Sequence, residues 1–159
     1  MLARLNIAGA TGHVPEMEIK RTVLVLHPAP EMYRLVHDVE AYPQFLRWCV
    51  GAQVLEQTHE LQLARLDVSI AGVRQSFTTR NRLVPHELLT LGLVEGPFQH
   101  LSGEWQFAAL GEMGSKVTLG LHFDFSNSVL SSAFRRGFAS VADKLVYDFS
   151  RRADQVYGG

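Results

Sequence analysis

The sequence predicts an α+β fold of the helix-grip kind: a seven-stranded antiparallel sheet curled around a long C-terminal helix, with two short helices after the first strand. Three observations predict it. Seven runs of strand-like residues are bounded by Gly and Pro turn signals. A helical apolar period appears between the first and second of these runs, and again over the last segment, which is amphipathic throughout.

"MEIKRTVLVL" (17–26) alternates and ends β-branched, so it reads as the first strand. "HPAPEM" then supplies prolines and Glu31 where a helix starts. In "PEMYRLVHDV" Met32, Leu35, Val36 and Val39 recur at helical spacing. Tyr42-Pro43 breaks that period, and "PQFLRWC" (43–49) is expected to form the second short helix. Six strand runs follow at 50–57, 61–71, 73–84, 87–95, 98–110 and 116–126. Gly72, Pro85, Gly96-Pro97 and "GEMGS" separate several of them, and the regular spacing predicts hairpin neighbours. The segment 128–157 places Val129, Ala133, Phe134, Phe138, Val141, Ala142, Leu145, Phe149, Ala153 and Val156 on one helical face. Arg135, Arg136, Asp143, Lys144, Asp148, Arg151 and Arg152 take the other. The domain is expected to span 17–158, with 1–16 as a flexible leader.

A straight helix of about 45 Å fits a curled sheet closely at one end only, which leaves a gap for side chains or a ligand. Alternation turns Val117, Leu119, Leu121, Phe123 and Phe125 inward, and Leu101, Trp105 and Phe107 with them. Gly103 is expected to leave room where the helix or a ligand approaches. On 73–84 the apolar face of Phe77 and Leu83 also carries Thr79 and Asn81, which bond local backbone or a buried water near the strand end, or else a ligand. The opposite face carries Arg74, Arg80 and Arg82, with Arg65 near them: a solvated sheet surface or a docking patch for RNA phosphates. Phe45 and Trp48 are expected to point the same way, either closing the core or capping the open end of the grip.

Composition bounds the rest. The chain has 159 residues, 47% hydrophobic and 19% charged, with a formal net charge of −1, so charge-driven binding to nucleic acid at large is disfavoured and no DNA partner is expected. Cys49, the sole cysteine, reads as a packed apolar group rather than a nucleophile. No apolar run is long enough to span a bilayer, and a cytoplasmic location, with membrane contact at most peripheral, is expected. "LNIAGATGH" (5–13) lacks the third Gly and the following helix of a dinucleotide loop. "HELLT" (86–90) lacks the second imidazole of a zinc-hydrolase helix, and no metal site, cofactor requirement or acid–base set is expected.

"DVEAYPQFLRWC" (38–49), "FTTRN" (77–81), "LVEGPF" (93–98), "GEWQF" (103–107) and "RRADQVYG" (151–158) together resemble the START-like polyketide cyclase/dehydrase family. Within it they are most similar to the branch of the ribosome association toxins and the coenzyme Q-binding proteins. Arg47 stands where members often have Pro. The resemblance implies a hydrophobic cavity that takes ubiquinone or a related lipid, or an association with the large ribosomal subunit, with a small antitoxin protein as a further partner. It supplies no catalytic set.

Three functions follow, in this order. The first is non-enzymatic binding of a polyisoprenoid quinone or similar lipid by Phe45, Trp48, Phe77, Thr79, Asn81, Leu93, Phe98, Trp105, Leu121, Phe138 and Leu145. The second is ribosome binding that blocks subunit association, through Arg65, Arg74, Arg80 and Arg82. A cyclase or aromatase comes last, because the inward positions are mostly apolar.

Overall fold

The computed structural model describes residues 16–126 and 131–158. In chain order it has β1 (Met17–Val25), α1 (Ala29–His37), a 3-10 turn (Val39–Gln44), β2 (Cys49–Gln57), β3 (Leu61–Ile70), β4 (Val73–Val84), β5 (Leu88–Glu95), β6 (Phe98–Leu110), β7 (Gly114–Phe125) and α2 (Ser132–Tyr157). The strands form one antiparallel sheet in the order β1-β7-β6-β5-β4-β3-β2, and α2 lies across its inner face. This is the helix-grip architecture that the sequence predicts. The leader expected at 1–16 falls outside the described residues apart from Glu16, as does Val129.

Each helix begins and ends for a local reason. Pro28 precedes α1 in extended conformation, Pro30 lies in its first turn, Glu31 meets the positive end of its dipole, and Met32, Tyr33 and Val36 go inward. The carbonyls at its far end have no partner inside the helix. Distant groups satisfy two of them: the Tyr42 hydroxyl donates to the Val36 carbonyl, and Gln62 Nε2 to that of His37 at 2.9 Å. Ser131 caps α2, its Oγ accepting from Phe134 N at 3.1 Å, and Gly158 with φ +82° ends it.

The short helix expected at 43–49 is corrected. The turn runs earlier, over Val39–Gln44, with Pro43 inside it. Proline has no N–H to continue a helical ladder, and the N–H groups of Phe45 and Leu46 both close back on the Tyr42 carbonyl. Arg47 and Trp48 therefore lie in a turn rather than on a helix, and Cys49 begins β2.

The sheet curls with the help of register shifts in β2, between β4 and β5, and at the start of β6. Gly137 lets α2 close onto it: a Cβ there would come within 2.4 Å of Ile70 Cγ2. Around this contact Phe77, Phe98, Phe123, Phe125, Phe134 and Phe138 form one aromatic cluster. Gly103 has a different neighbour from the one expected. A Cβ there would meet Leu121 Cδ2 at 2.5 Å and the Gly120 carbonyl at 2.8 Å, so the glycine accommodates β7, not α2 or a ligand. Two residues expected on the inner helical face, Ala133 and Val156, are exposed near the ends of α2, while Val146 is fully buried.

Candidate functional site

Between Phe138 and Phe149 the sheet and α2 part and leave a cavity of about 100 Å³. The void far exceeds the ~10–15 Å³ that one water requires, and approaches the ~150 Å³ apolar hole that admits a benzene ring. Its wall draws on nearly every element. Val36 of α1 and Val39 and Tyr42 of the 3-10 turn stand on one side, and Phe138, Val141, Ala142, Leu145 and Phe149 of α2 close it. From the sheet come Ala64, Leu66, Phe77, Thr79, Asn81, Leu89, Leu91, Leu101, Trp105 and Leu121, with Trp48 from the turn before β2.

Of the eleven residues expected at a ligand, the structure brings Trp48, Phe77, Thr79, Asn81, Trp105, Leu121, Phe138 and Leu145 to this wall. Three are elsewhere. Phe45 packs its ring on Tyr42 and Phe149 and carries the Arg152 guanidinium 4.9 Å from its centroid, so it does not point with Trp48. The turn after Pro43, instead of a helix, is what separates the two. Phe98 is spent in the aromatic cluster, stacked on Phe125 at 5.5 Å. Leu93 packs half-buried against the core beside the β4–β5 register shift.

The polar wall atoms are mostly committed. Thr79 Oγ1 donates to Asn81 Oδ1 at 2.9 Å, and Asn81 Nδ2 donates to Gln62 Oε1 at 2.8 Å. Gln62, 0% exposed, passes the chain on to the end of α1. Thr79 and Asn81 thus bond not local backbone but each other and Gln62, a residue that sequence reasoning missed. Nothing in "LQLARL" marks Gln62 as internal, because its partners lie 19 and 25 residues away. Burial raises the Tyr42 hydroxyl pKa well above its ordinary value while that hydroxyl is held by the Val36 carbonyl. The exception is Trp48, whose indole Nε1–H is buried without a hydrogen-bond partner. Such a group costs about 1–3 kcal/mol when left unpaired.

No carboxylate, imidazole or ammonium stands on the described wall. Cys49 lies outside it, its thiol donating to the Gly51 carbonyl and pushed up to about 11 by burial, so it stays protonated at neutral pH. Among the described residues no group of His, Cys, Asp and Glu is arranged to hold a metal ion. No helix there is long and apolar enough to cross a membrane.

On the outer face of the sheet Arg74, Arg80 and Arg82 are exposed, Arg80 and Arg82 two apart on β4 and Arg74 six residues before Arg80. Arg65 is drawn away from them, its Nε donating to Asp67 at 3.1 Å and its Nη2 to Ser76 Oγ at 3.2 Å. Its side chain remains half exposed.

The profile of the polyketide cyclase/dehydrase and lipid transport family matches residues 25–150. The Escherichia coli K12 protein named ribosome association toxin RatA is 42% identical over 140 residues, which cover 88% of this chain and 89% of that protein. A Xenopus laevis protein named coenzyme Q-binding protein COQ10 homolog B is 26% identical over 162 residues, covering 97% of this chain and 65% of that one. Among solved structures, the Zhui aromatase/cyclase from Streptomyces sp. R1128 superposes with a TM-score of 0.77 at 23% identity, covering 91% of this chain and 99% of that one, a likeness of fold.

Proposed function

The chain belongs to the polyketide cyclase/dehydrase and lipid transport family, and on that premise we propose that it is a ribosome-associating protein of the RatA type that acts by binding, not by turnover. The observation that carries this is the 42% identity to a ribosome association toxin across 88% of the chain. The order of functions expected from sequence is thus reversed. An apolar cavity with no carboxylate, imidazole or ammonium on its described wall supports the non-enzymatic half of the reading. A cytoplasmic setting, the large subunit as the target and a small antitoxin as regulator belong to the same proposal.

Arg80 and Arg82, both exposed and two apart on β4, support this reading as the residues proposed to meet RNA phosphates. Arg80→Glu/Arg82→Glu is expected to weaken co-sedimentation with large ribosomal subunits about tenfold or more. It should also flatten the salt dependence by roughly the two contacts removed. Unchanged sedimentation at both low and high salt would remove the sheet from the interface.

A second reading, hydrophobic ligand binding, is favoured by the cavity and by the unpaired Trp48 N–H. The volume suits a ring or one prenyl-sized unit, so the tail of a ubiquinone would have to leave between sheet and helix. The chain's two tryptophans, Trp48 and Trp105, both stand on the wall and report occupancy directly. A short-tailed ubiquinone is expected to quench their fluorescence saturably, and Leu66→Trp, which fills the void, to abolish uptake of the quinone measured by native mass spectrometry. Protein that takes up no quinone by either measurement ends this reading and leaves the ribosome reading standing.

A further inference from the structure

The solvent side of α2 holds a second basic surface, on the face of the domain opposite the β4 arginines. The buried positions of α2 are Phe134, Phe138, Ala142, Val146, Phe149 and Ala153. Diametrically opposite, Arg136, Ser140, Lys144, Tyr147 and Arg151 are all exposed. At about 100° per residue they fall within an arc of roughly 80°, along some 22 Å of helix.

The neighbouring charges of α2 are turned to other work. Asp143 is paired with Arg21, and Asp154 with His27 at 2.8 Å. Arg152 bonds Gln44 Oε1 at 3.1 Å and covers Phe45. Arg136, Lys144 and Arg151 have no hydrogen bond or salt bridge to any described residue, and Asp148 is the acid left at the stripe's edge. Burial raises the pKa of that carboxyl against the pull of Arg151 and Lys144. Between them Tyr147 is 46% exposed.

A cationic line interrupted by an open aromatic ring has the two parts that bind single strands: charge for the backbone and a π-face for a base. We propose that this stripe docks unpaired RNA, one base stacking on Tyr147 while flanking phosphates pair with Lys144, Arg151 and Arg136. The proposal rests on the ribosome reading for its biological partner, and it separates two kinds of contact. The β4 arginines have no exposed ring among them and meet phosphates alone, whereas α2 requires a base free of its own stack. An anionic lipid surface would call for exposed aliphatic side chains along the stripe, and the intervening position is Ser140. A duplex or an acidic peptide would use the cations and leave the ring idle.

The test is fluorescence anisotropy with a labelled single-stranded RNA of about ten nucleotides, and with the same sequence as a duplex. All substitutions are at exposed positions, and thermal melting checks that each variant is folded. Tyr147→Ala is expected to weaken single-strand binding about tenfold, Tyr147→Phe to keep it within about twofold, and Lys144→Glu/Arg151→Glu to weaken it more than tenfold with a shallower salt dependence. Duplex RNA should bind more weakly and ignore Tyr147. The proposal is overturned if the wild-type chain does not bind the oligonucleotide, if Tyr147→Ala binds as the wild type does, or if the duplex competes equally. Ribosome sedimentation of the same proteins keeps the two ideas apart. Wild-type sedimentation unaltered by the α2 variants sinks the stripe and spares the ribosome reading. Oligonucleotide binding that depends on Tyr147, without any sedimentation, upholds the stripe and sinks the ribosome reading.

Discussion

Phe138→Ala is expected to cost about 3–5 kcal/mol of folding stability, read as the fall in unfolding free energy by urea titration. Phe138 is 6% exposed and its ring centroid lies between 5.1 and 6.4 Å from those of Phe77, Phe98, Phe123, Phe125 and Phe134. It is the side chain through which the first half of α2 grips three strands, β4, β6 and β7. Truncation removes the buried ring, its edge-to-face partners and the wall between the aromatic cluster and the cavity. The new hole would join an existing void instead of collapsing, which places the loss toward the upper end. A loss below about 1 kcal/mol would mean that α2 is not anchored at this point.

The aromatic cluster was legible in the sequence because both of its partners have strict periods. Phe123 and Phe125 are two apart on a strand and Phe134 and Phe138 four apart on a helix, so each pair is assigned to the core by local spacing alone. The bounds of β4 and β6 were legible for the same reason, with Gly and Pro as punctuation. Where the signal came from a short aperiodic segment it misled. Six residues of 3-10 turn containing Pro43 have no face to count, so Phe45 was expected at the cavity and sits outside it, under Arg152. Alternation puts Arg65 on the correct face with Asp67 beside it, but its bond to Ser76 depends on strand register, which one strand's pattern does not contain. The unpaired Trp48 N–H and the closing of α2 through His27 and Asp154, 127 residues apart, are likewise consequences of assembly.

Gln62→Leu is expected to cost roughly 2–5 kcal/mol although it replaces a buried polar side chain with a hydrophobic one of similar size. The substitution strands Asn81 Nδ2, which donates to Gln62 Oε1, and the His37 carbonyl, which accepts from Gln62 Nε2. Each buried group left unpaired costs about 1–3 kcal/mol, more than the apolar gain returns. Adding Asn81→Leu and Thr79→Val removes the stranded donor and the hydroxyl that bonds the same amide's oxygen, leaving the His37 carbonyl and the exposed Gln57 Oε1 without their Gln62 donor. The triple variant is therefore expected to be more stable than Gln62→Leu alone, by chemical denaturation of all members of the cycle. If instead the losses simply add, the three side chains do not act as one chain and the polar wall of the cavity is held by something else. If they couple as expected, Thr79 and Asn81 are satisfied from within. The Trp48 indole is then the donor on that wall to which a ligand's acceptor adds a bond without taking one from the protein.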